Sequence, residues 1–402
     1  MNAVVDVAII GAGPVGASLA LMLAQAGFNV AALEARPKLL QSNQTRSIAI
    51  SHGSRVVLEG AGLPWQALNA TAITAVHTSH KGNFGRTVIK AAEANVPALG
   101  YVASYANLQN TLDAQLMIAT QTQTQTQTRP LHITTGVTIQ GITQGVTHER
   151  EAAQIMFCTR DNPNPQTLQA KVLVMADGGA NLPLLPVFRA SSRDYEQTAL
   201  LAKVRADQPH TGLAFERFTD AGPVALLPYG DDYSLVWIDS PSNIAALELL
   251  DDATFLAKLQ AHFGYRAGNL LSVQNRMTYP LHLRQLAEVA HGRIVVVGNA
   301  AQALHPVAAQ GFNLGLRDVR DLFSVLSQYG IEDNVANHLD QYAKNRAQDS
   351  RDTVSVTNLL VDVFAPQAAP IKALRGLGLA ALDVLPMARR RLAKKMLFGG
   401  AS

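Results

Sequence analysis

Cysteine and charge are both scarce in this sequence. Cys158 is the single cysteine among 402 residues, which excludes an internal disulfide and any zinc or iron–sulfur site built from several cysteines. We therefore expect no metal site and a reducing compartment, the cytoplasm, with Cys158 as a small, half-buried residue. The formal net charge is only +3, and so weak a charge argues against nucleic acid as a partner.

The first apolar run has no features of a leader segment, and the signatures of several enzyme classes are missing. No cationic segment precedes the first apolar run, which reaches a glycine turn after Ile10, so we expect neither a signal peptide nor a transmembrane helix there. The sequence contains no Gly-x-Ser-x-Gly, His-Glu-x-x-His or Walker-lysine motif. Hydrolase, zinc-protease and nucleoside-triphosphatase functions therefore lack their usual signatures.

The length and the apolar content, 402 residues and 48% hydrophobic, allow two or three domains with a sizeable core. Apolar runs over 4–10 and 17–26 predict a buried strand followed by a helix. From about 198 to 239, short alternating stretches between Gly, Asp and Pro turns predict an inserted antiparallel sheet. A parallel strand over 293–297 and helical periodicity after Arg317 complete the pattern. The sequence therefore predicts an α/β protein.

The turn between the first strand and the first helix carries a dinucleotide-binding pattern. Gly11 makes the turn, Gly13 lets the backbone approach a pyrophosphate, and Gly16 permits close packing of helix on strand. The pyrophosphate would sit on the amino end of the helix. About 20 residues later, Glu34 follows the next apolar run and can accept hydrogen bonds from a ribose. This carboxylate suits NAD as well as FAD, so the motif alone does not choose between them.

A second run, Gly298–Asp318, lies in the C-terminal part of the sequence. A strand ends in a turn of small residues, a proline-containing loop follows, and a helix is expected to begin after Gly311. The amino end of that helix offers backbone donors and positive potential to a ring that becomes anionic, as a flavin does on reduction. His305 in the loop could act as an acid or base or be held by a backbone carbonyl. We assign no catalytic side chain.

Taken with the N-terminal unit, this run resembles the family of FAD-dependent aromatic hydroxylases, and most of all its ubiquinone-biosynthesis branch. The wider family usually has Asp and His where this sequence has Asn299 and Gln302. The Asn and Gln forms look like the 2-polyprenyl-6-methoxyphenol hydroxylase subgroup. The resemblance implies that the dinucleotide is FAD and that NAD(P)H is a co-substrate.

The resemblance spans nearly the whole chain and assigns roles outside both motifs. The segments around Arg36 and Arg46 resemble those whose arginine lies beside the flavin, and Gln109 is similar to a helical glutamine that contacts the cofactor. Asp177 begins an Asp-Gly motif associated with FAD and NAD(P)H, although the family's usual serine is absent near Asn181. The implied FAD-binding residues are Gly11, Gly13, Pro14, Val15, Gly16, Glu34, Arg36, Arg46, Gln109, Asp177, Asn299, Pro306, Gly311, Phe312 and Asn313.

A member of this family would use NAD(P)H and O2 to hydroxylate the ring of a polyprenylated methoxyphenol in ubiquinone biosynthesis, with the chemistry carried by the flavin. Two alternatives stay open: another flavin-dependent oxidoreductase acting on a prenylated or aromatic substrate, and a catalytically silent flavin-binding assembly protein. The implied domains are a Rossmann-type FAD-binding domain (1–75, 100–180 and 285–330), a substrate domain with the inserted sheet (76–99 and 181–284) and a helical C-terminal region (331–402).

The C-terminal tail is basic. From Pro366 onward it has seven cations and one acid, Asp383, and Arg389–Lys395 forms a dense cationic cluster. Apolar residues at helical spacing predict either docking to a membrane surface or to another ubiquinone-biosynthesis protein, or an ordinary helix packed on the domain with a solvated basic end. We favour surface docking without a membrane span, because Asp383 and Pro386 interrupt the apolar run. The protein would then be cytoplasmic and peripheral at the inner face of the membrane.

Overall fold

A computed structural model describes residues 4–82, 86–121, 131–147, 150–303, 310–332, 334–364 and 386–398. Its strands are β1 Val5–Ile10, β2 Val30–Leu33, β3 Ser47–Ser51, β4 Thr71–Ile73, β5 Ala75–His80, β6 Arg86–Lys90, β7 Gly100–Ser104, β8 Leu131–Thr134, β9 Val137–Thr147, β10 Arg150–Thr159, β11 Gln166–Met175, β12 Ala190–Ala206, β13 Leu213–Phe218, β14 Pro223–Tyr229, β15 Asp232–Asp239, β16 Leu270–Leu286, β17 Ala290–His291, β18 Ile294–Val296 and β19 Gln302–Ala303. Its α-helices are α1 Pro14–Gln25, α2 His52–Gly60, α3 Tyr105–Gln121, α4 Pro241–Glu248, α5 Asp252–Phe263, α6 Gln310–Tyr329, α7 Val335–Phe364 and α8 Pro386–Phe398.

The first sheet has a parallel centre, in the order β18-β11-β1-β2-β8, with β17, β10 and β9 added antiparallel. Every residue of β1 is buried, as expected of a strand covered on both faces. Ile10 pairs with Leu33 on one side and with Met175 on the other. The carboxyl ends of β1, β2 and β11 therefore meet at one edge, which is where an open α/β sheet binds its ligands.

One hydrophobic cluster joins this sheet to helices α1, α3 and α6. It contains Leu19 and Leu23 of α1, Leu112 of α3 and Leu322 of α6, all fully buried. Burial of such side chains is the main favourable term in folding. This cluster therefore anchors α1, α3 and α6 on the sheet.

The second sheet, called the roof here, has the order β19-β16-β12-β15-β14-β13-β5-β6. Most neighbours are antiparallel, as expected over 198–239. One pair differs, because β13 runs parallel to β5 with Leu213 opposite Ala75. The two strands lie far apart in the chain, and a parallel pair requires such a long connection. The roof is thus a mixed sheet completed by an early segment of the chain.

Helices α4 and α5 cover the outer face of the roof. Leu226, Leu235 and Trp237 pack there against Phe255 and Phe263 in a separate hydrophobic cluster. The alternate residues point to the opposite, inner face. Leu201, Leu227 and Val236 on that face are only half-buried.

A small sheet, β3-β7-β4, lies between the two larger ones. The last three helices of the described chain are α6, α7 and α8. The helix expected after Gly311 already includes Gln310, the first described residue after position 303. Ala393 and Leu397 of α8 pack in one apolar cluster with Ala94. Among the residues that the structure describes, no helix combines the length and the apolar character needed to cross a bilayer.

Candidate functional site

A cavity of about 760 Å³ opens at the carboxyl edge of the parallel sheet. Of the predicted cofactor residues, the following line it: Gly11, Gly13, Pro14, Val15, Glu34, Arg36, Arg46, Gln109, Asp177, Asn299, Gly311 and Phe312. Gly16 and Asn313 are not among its lining residues, and Pro306 lies outside the described residues. Segments separated by up to about 300 positions in the sequence therefore converge on one space, which we call the first cavity.

The glycine turn after β1 packs closely against the protein at Gly11 and Gly16 and leaves open space at Gly13. Gly11 has a φ of +99°, and a Cβ added there would lie 2.7 Å from the Asp177 nitrogen. A Cβ on Gly16 would meet the carbonyl oxygen of Gly11. A Cβ on Gly13 meets nothing within 4 Å, so this glycine borders open space in the cavity. The absence of a side chain at Gly13 therefore matters only for a group that the cavity would hold.

Helix α1 presents its amino end to the same space. Its N-cap residue is Gly13, which provides no side-chain capping bond, and Pro14 begins the helix. The backbone N–H groups of such a first turn attract anions, with the helix dipole adding to the attraction. The structure thus provides an anion site where the sequence predicts the pyrophosphate.

Glu34 is buried at the end of β2 and already holds the backbone around it. Its Oε2 accepts from the Ala12 N–H at 2.7 Å, and its Oε1 accepts from the Arg36 N–H at 2.8 Å. The Arg36 side chain lies 3.1 Å from Oε1. Because each carboxylate oxygen has two acceptor positions, Oε2 keeps capacity for a ribose hydroxyl.

Asp113 is a site residue that the sequence interpretation missed. It is fully buried on α3 and accepts from Arg36 at 2.9 Å and 3.2 Å, from Gln109 at 2.8 Å and from the Leu40 N–H at 2.9 Å. Burial lowers the pKa of Arg36, but its bonds with Asp113 and Glu34 outweigh this and raise the pKa overall. The spacing of Gln109 and Asp113, four positions apart on a helix, was the available signal.

Asp177 organises the turn after β11. Its carboxylate accepts from the Gly179 and Asn181 N–H groups, each at 2.8 Å, and from the Asn181 side chain at 2.7 Å. Asn181 stands near the position of the missing family serine, and its amide completes the turn instead. Arg284 of the roof strand β16 donates from Nη2 to the Gly178 carbonyl at 2.7 Å. Arg284, too, was not predicted from the sequence.

Arg46, just before β3, lines the cavity, whereas Asn313 of α6 lies behind its wall. The Arg46 guanidinium lies 4.1 Å from the centre of the Tyr105 ring, a cation–π distance, and donates to Gln44 at 3.0 Å. Asn313 instead ties the two elements together, since it accepts from the Ser51 N–H at 2.8 Å and donates to the Ala49 carbonyl at 3.2 Å. These bonds give Asn313 a structural role behind the cavity wall.

The comparisons with known proteins agree with this geometry. The sequence model of the FAD-binding domain family matches residues 4–357. The chain belongs to this family of FAD-dependent hydroxylases. FAD is therefore its cofactor, with NAD(P)H the co-substrate typical of the family, and the enzyme class predicted from the sequence is confirmed.

Two curated relatives place the chain in the ubiquinone-biosynthesis branch. The 3-demethoxyubiquinol 3-hydroxylase of Escherichia coli is 29% identical over 98% of this chain and 98% of its own length. The ubiquinone hydroxylase UbiL of Rhodospirillum rubrum is 29% identical over 94% of this chain and 86% of its own length. The solved p-nitrophenol 4-monooxygenase of Pseudomonas putida has the same fold, with a TM-score of 0.77, 18% identity and complete coverage of both chains.

The described residues fit FAD. Open space in front of Gly13 and the uncapped amino end of α1 suit a pyrophosphate, and the buried Glu34 suits a ribose. Bound FAD supplies electron transfer from NAD(P)H and activation of O2. The chain's own part would be to bind and orient the ring, to exclude water and to offer the amino end of α6, at Gly311 and Phe312, to the negative charge of the reduced ring. The individual FAD contacts remain predictions.

Proposed function

We propose that this enzyme hydroxylates the aromatic ring of a polyprenylated methoxyphenol in ubiquinone biosynthesis. The proposal rests on the curated relatives and on one structural observation, that apolar residues line the first cavity together with its polar groups. Ile48, Ala49, Ala303 and Phe312 are among these apolar lining residues. Ala303 belongs to β19, a strand of the roof, so the first cavity borders the roof.

The roof and the first cavity are joined at β3. The Ser47 and Ser234 hydroxyls lie 2.6 Å apart, and Thr45 donates to the Met277 sulfur at 3.5 Å. Because the half-buried Leu201 of the inner face lines a cavity there, this face offers a surface that an aromatic ring and a prenyl chain can bury. Apolar contact area of this kind gains roughly 25 cal/mol per Å².

A smaller cavity of about 350 Å³ adjoins the first one under the roof. Asn43, Gln44 and Arg46 line both spaces. The smaller cavity combines apolar groups, such as Leu201, with donors, such as Lys203. A methoxyphenol is complementary to this lining, because its apolar ring is edged by oxygen atoms that accept hydrogen bonds. Pocket sites for small ligands commonly pair an apolar lining with a few placed polar groups.

The tail supports a peripheral position only in part. Arg390, Arg391 and Lys394 of α8 are exposed, while Ala393 and Leu397 pack against the body of the protein. The apolar residues expected on the preceding face, from Ile371 to Leu385, lie outside the described residues. We propose that the exposed cations of α8 face the anionic surface that carries the lipid substrate, where each contributes about 1 kcal/mol.

The deciding experiment combines gene deletion with enzymology. Deleting the gene should accumulate a prenylated phenol that lacks one ring oxygen, identified by mass spectrometry. The purified yellow protein should then consume NAD(P)H and O2 faster when that phenol is added, and incorporate one atom of ¹⁸O into it. Reduction of the prenyl chain in place of ring hydroxylation, or tight FAD that NAD(P)H does not reduce, would refute the proposal and favour the two alternatives in turn.

A further inference from the structure

The turn after β18 is held from behind by side chains that are not among the predicted FAD-binding residues. Gly298 has a φ of +63°, and its N–H donates to Asp318 Oδ2 at 2.9 Å in a buried bond. The Asn299 carbonyl accepts from Arg284 Nη2 at 2.7 Å. Gly298 and Asn299 themselves line the first cavity. The position of this stretch of cavity wall therefore depends on groups behind it.

Asp318 owes its orientation to Arg346. The two side chains are each 3% exposed, and Arg346 Nε donates to Asp318 Oδ1 at 2.8 Å. Arg346 Nη1 also donates to Asp349 at 2.6 Å and to Asp321 at 3.0 Å. A carboxylate this deeply buried stays ionised only beside a counter-charge. Arg346 of α7 thus keeps Asp318 of α6 available as the acceptor for the Gly298 N–H.

The close approach of α6 to the turn depends on Gly315. A Cβ at this position would lie 3.1 Å from the Gly298 Cα and 2.9 Å from Val15 Cγ2. Both contacts are tighter than packed side chains normally tolerate. The missing side chain therefore lets α6 bring Asp318, three residues further on, within reach of the Gly298 N–H.

We propose that Asp318 and Arg346 form a positioning pair that holds the Gly298–Asn299 turn in the geometry that FAD binding requires. Neither is among the described residues that line the first cavity. Both line a separate cavity of about 730 Å³ instead. The pair therefore acts on the cofactor through the Gly298 backbone. This proposal requires only that the protein binds FAD, so a wrong assignment of the phenolic substrate would not affect it.

The test measures FAD release from the full-length holoenzyme by the rise in free-flavin fluorescence, together with the flavin midpoint potential. Asp318→Asn should weaken FAD binding about 10- to 100-fold, because an amide cannot accept from both Gly298 and Arg346 as the carboxylate does. Arg346→Lys keeps the charge and should lie between this variant and the wild type. Gly315→Ala, which displaces the turn sterically, should also accelerate release.

Arg346→Met gives a readout that a merely structural role would not produce. Without its counter-charge, buried Asp318 takes up a proton as the pH falls toward neutrality. FAD release from this variant should then accelerate with falling pH across the range in which release from the wild type stays constant. A pH profile parallel to that of the wild type would contradict the proposal.

Asp321→Asn is the matched control. Asp321 contacts the same Arg346, and the variant removes the same negative charge as Asp318→Asn, but Asp321 has no bond to the turn. Its FAD release should stay within about twofold of wild type. Equal FAD affinity and equal midpoint potential in Asp318→Asn and Asp321→Asn, with lower thermal stability in the former, would reduce the pair to a structural ion pair. If Asp318→Asn does not fold, an Arg346→Lys holoenzyme with wild-type release and potential would overturn the proposal in the same way.

Discussion

The wall of the first cavity and the inner face of the roof are built on different physical principles. Behind the Glu34 side of the cavity wall, polar side chains are buried and fixed by several partners, as Asp113 is by Arg36, Gln109 and the Leu40 N–H. On the roof, half-buried apolar side chains such as Leu227 and Val236 stand on a backbone ladder. A buried polar network specifies one geometry, because any displacement leaves a group unsatisfied. Apolar contacts are not directional and adapt to ligands of varying length.

The largest effect is expected from a side chain placed in the cavity itself. Gly13→Leu should lower FAD affinity by about 100-fold or more, because it fills the space that the pyrophosphate requires, while the fold stays intact. Flavin absorbance per mole of purified protein measures this. Gly60→Leu is the matched control, since a Cβ at Gly60 also meets nothing within 4 Å but Gly60 does not line the cavity. A yellow, fully loaded Gly13→Leu protein would contradict the placement of the site.

The second prediction compares buried carboxylates in the two regions. Asp113→Asn should lower the free energy of unfolding by about 2–3 kcal/mol, because it disrupts a bidentate partner of Arg36 inside a buried network. Asp232→Asn in the roof should cost only about 1 kcal/mol, because its partners Lys203 and Arg205 are 37% and 60% exposed. Urea unfolding of both variants measures the difference. Equal losses of unfolding free energy in the two variants would mean that both regions tolerate the replacement of a buried carboxylate equally well.

The third prediction tests whether the roof contributes to substrate binding. Val236→Ser should lower kcat/KM for a prenylated phenol about tenfold, because it removes apolar contact area and adds a hydroxyl to the inner face. FAD affinity should not change. Leu271→Ser, at a position that is 57% exposed, serves as the control. A loss of FAD affinity without a change in kcat/KM would assign Val236 to the cofactor region instead.

The smallest effect concerns pH. Burial lowers the pKa of His77 and of His262, with nearby cations adding to the shift. The unfolded chain then binds more protons than the folded one below the ordinary histidine pKa of 6.5, so the stability of the roof should fall as the pH drops through this range. His77→Gln should flatten the dependence when thermal unfolding is followed between about pH 8 and pH 5. A steeper dependence in that variant would contradict the sign.

The sequence predicted the local parts of the site better than the distant ones. Gly11, Gly13 and Glu34 follow one another within a single βαβ unit, so their spacing alone indicates a dinucleotide site. Arg284 and Asp318 have no such signal, and Asp113 has only its helical spacing from Gln109, because what makes all three important is a contact with a distant backbone group. Such contacts exist only once the fold has formed.

The same limit applies to the folds of the two sheets. Apolar runs predicted β1 and α1 within a few residues, since both are continuous and strongly apolar. The parallel pairing of β13 with β5 could not be predicted, because strand alternation carries no information about the partner. The motif also does not reveal that Asn313, one of the implied FAD-binding residues, bonds to Ser51 and Ala49 and so joins α6 to β3.

Arg284 has a mechanical consequence. It belongs to the roof strand β16, yet a single guanidinium nitrogen holds the carbonyls of Gly178 and Asn299 at once. Lifting the roof therefore strains two cofactor turns together, or breaks two charge-assisted hydrogen bonds worth roughly 1.5–3 kcal/mol each. Because one side chain connects the roof to both turns, the roof cannot move away from the first cavity without disturbing the two turns that line it.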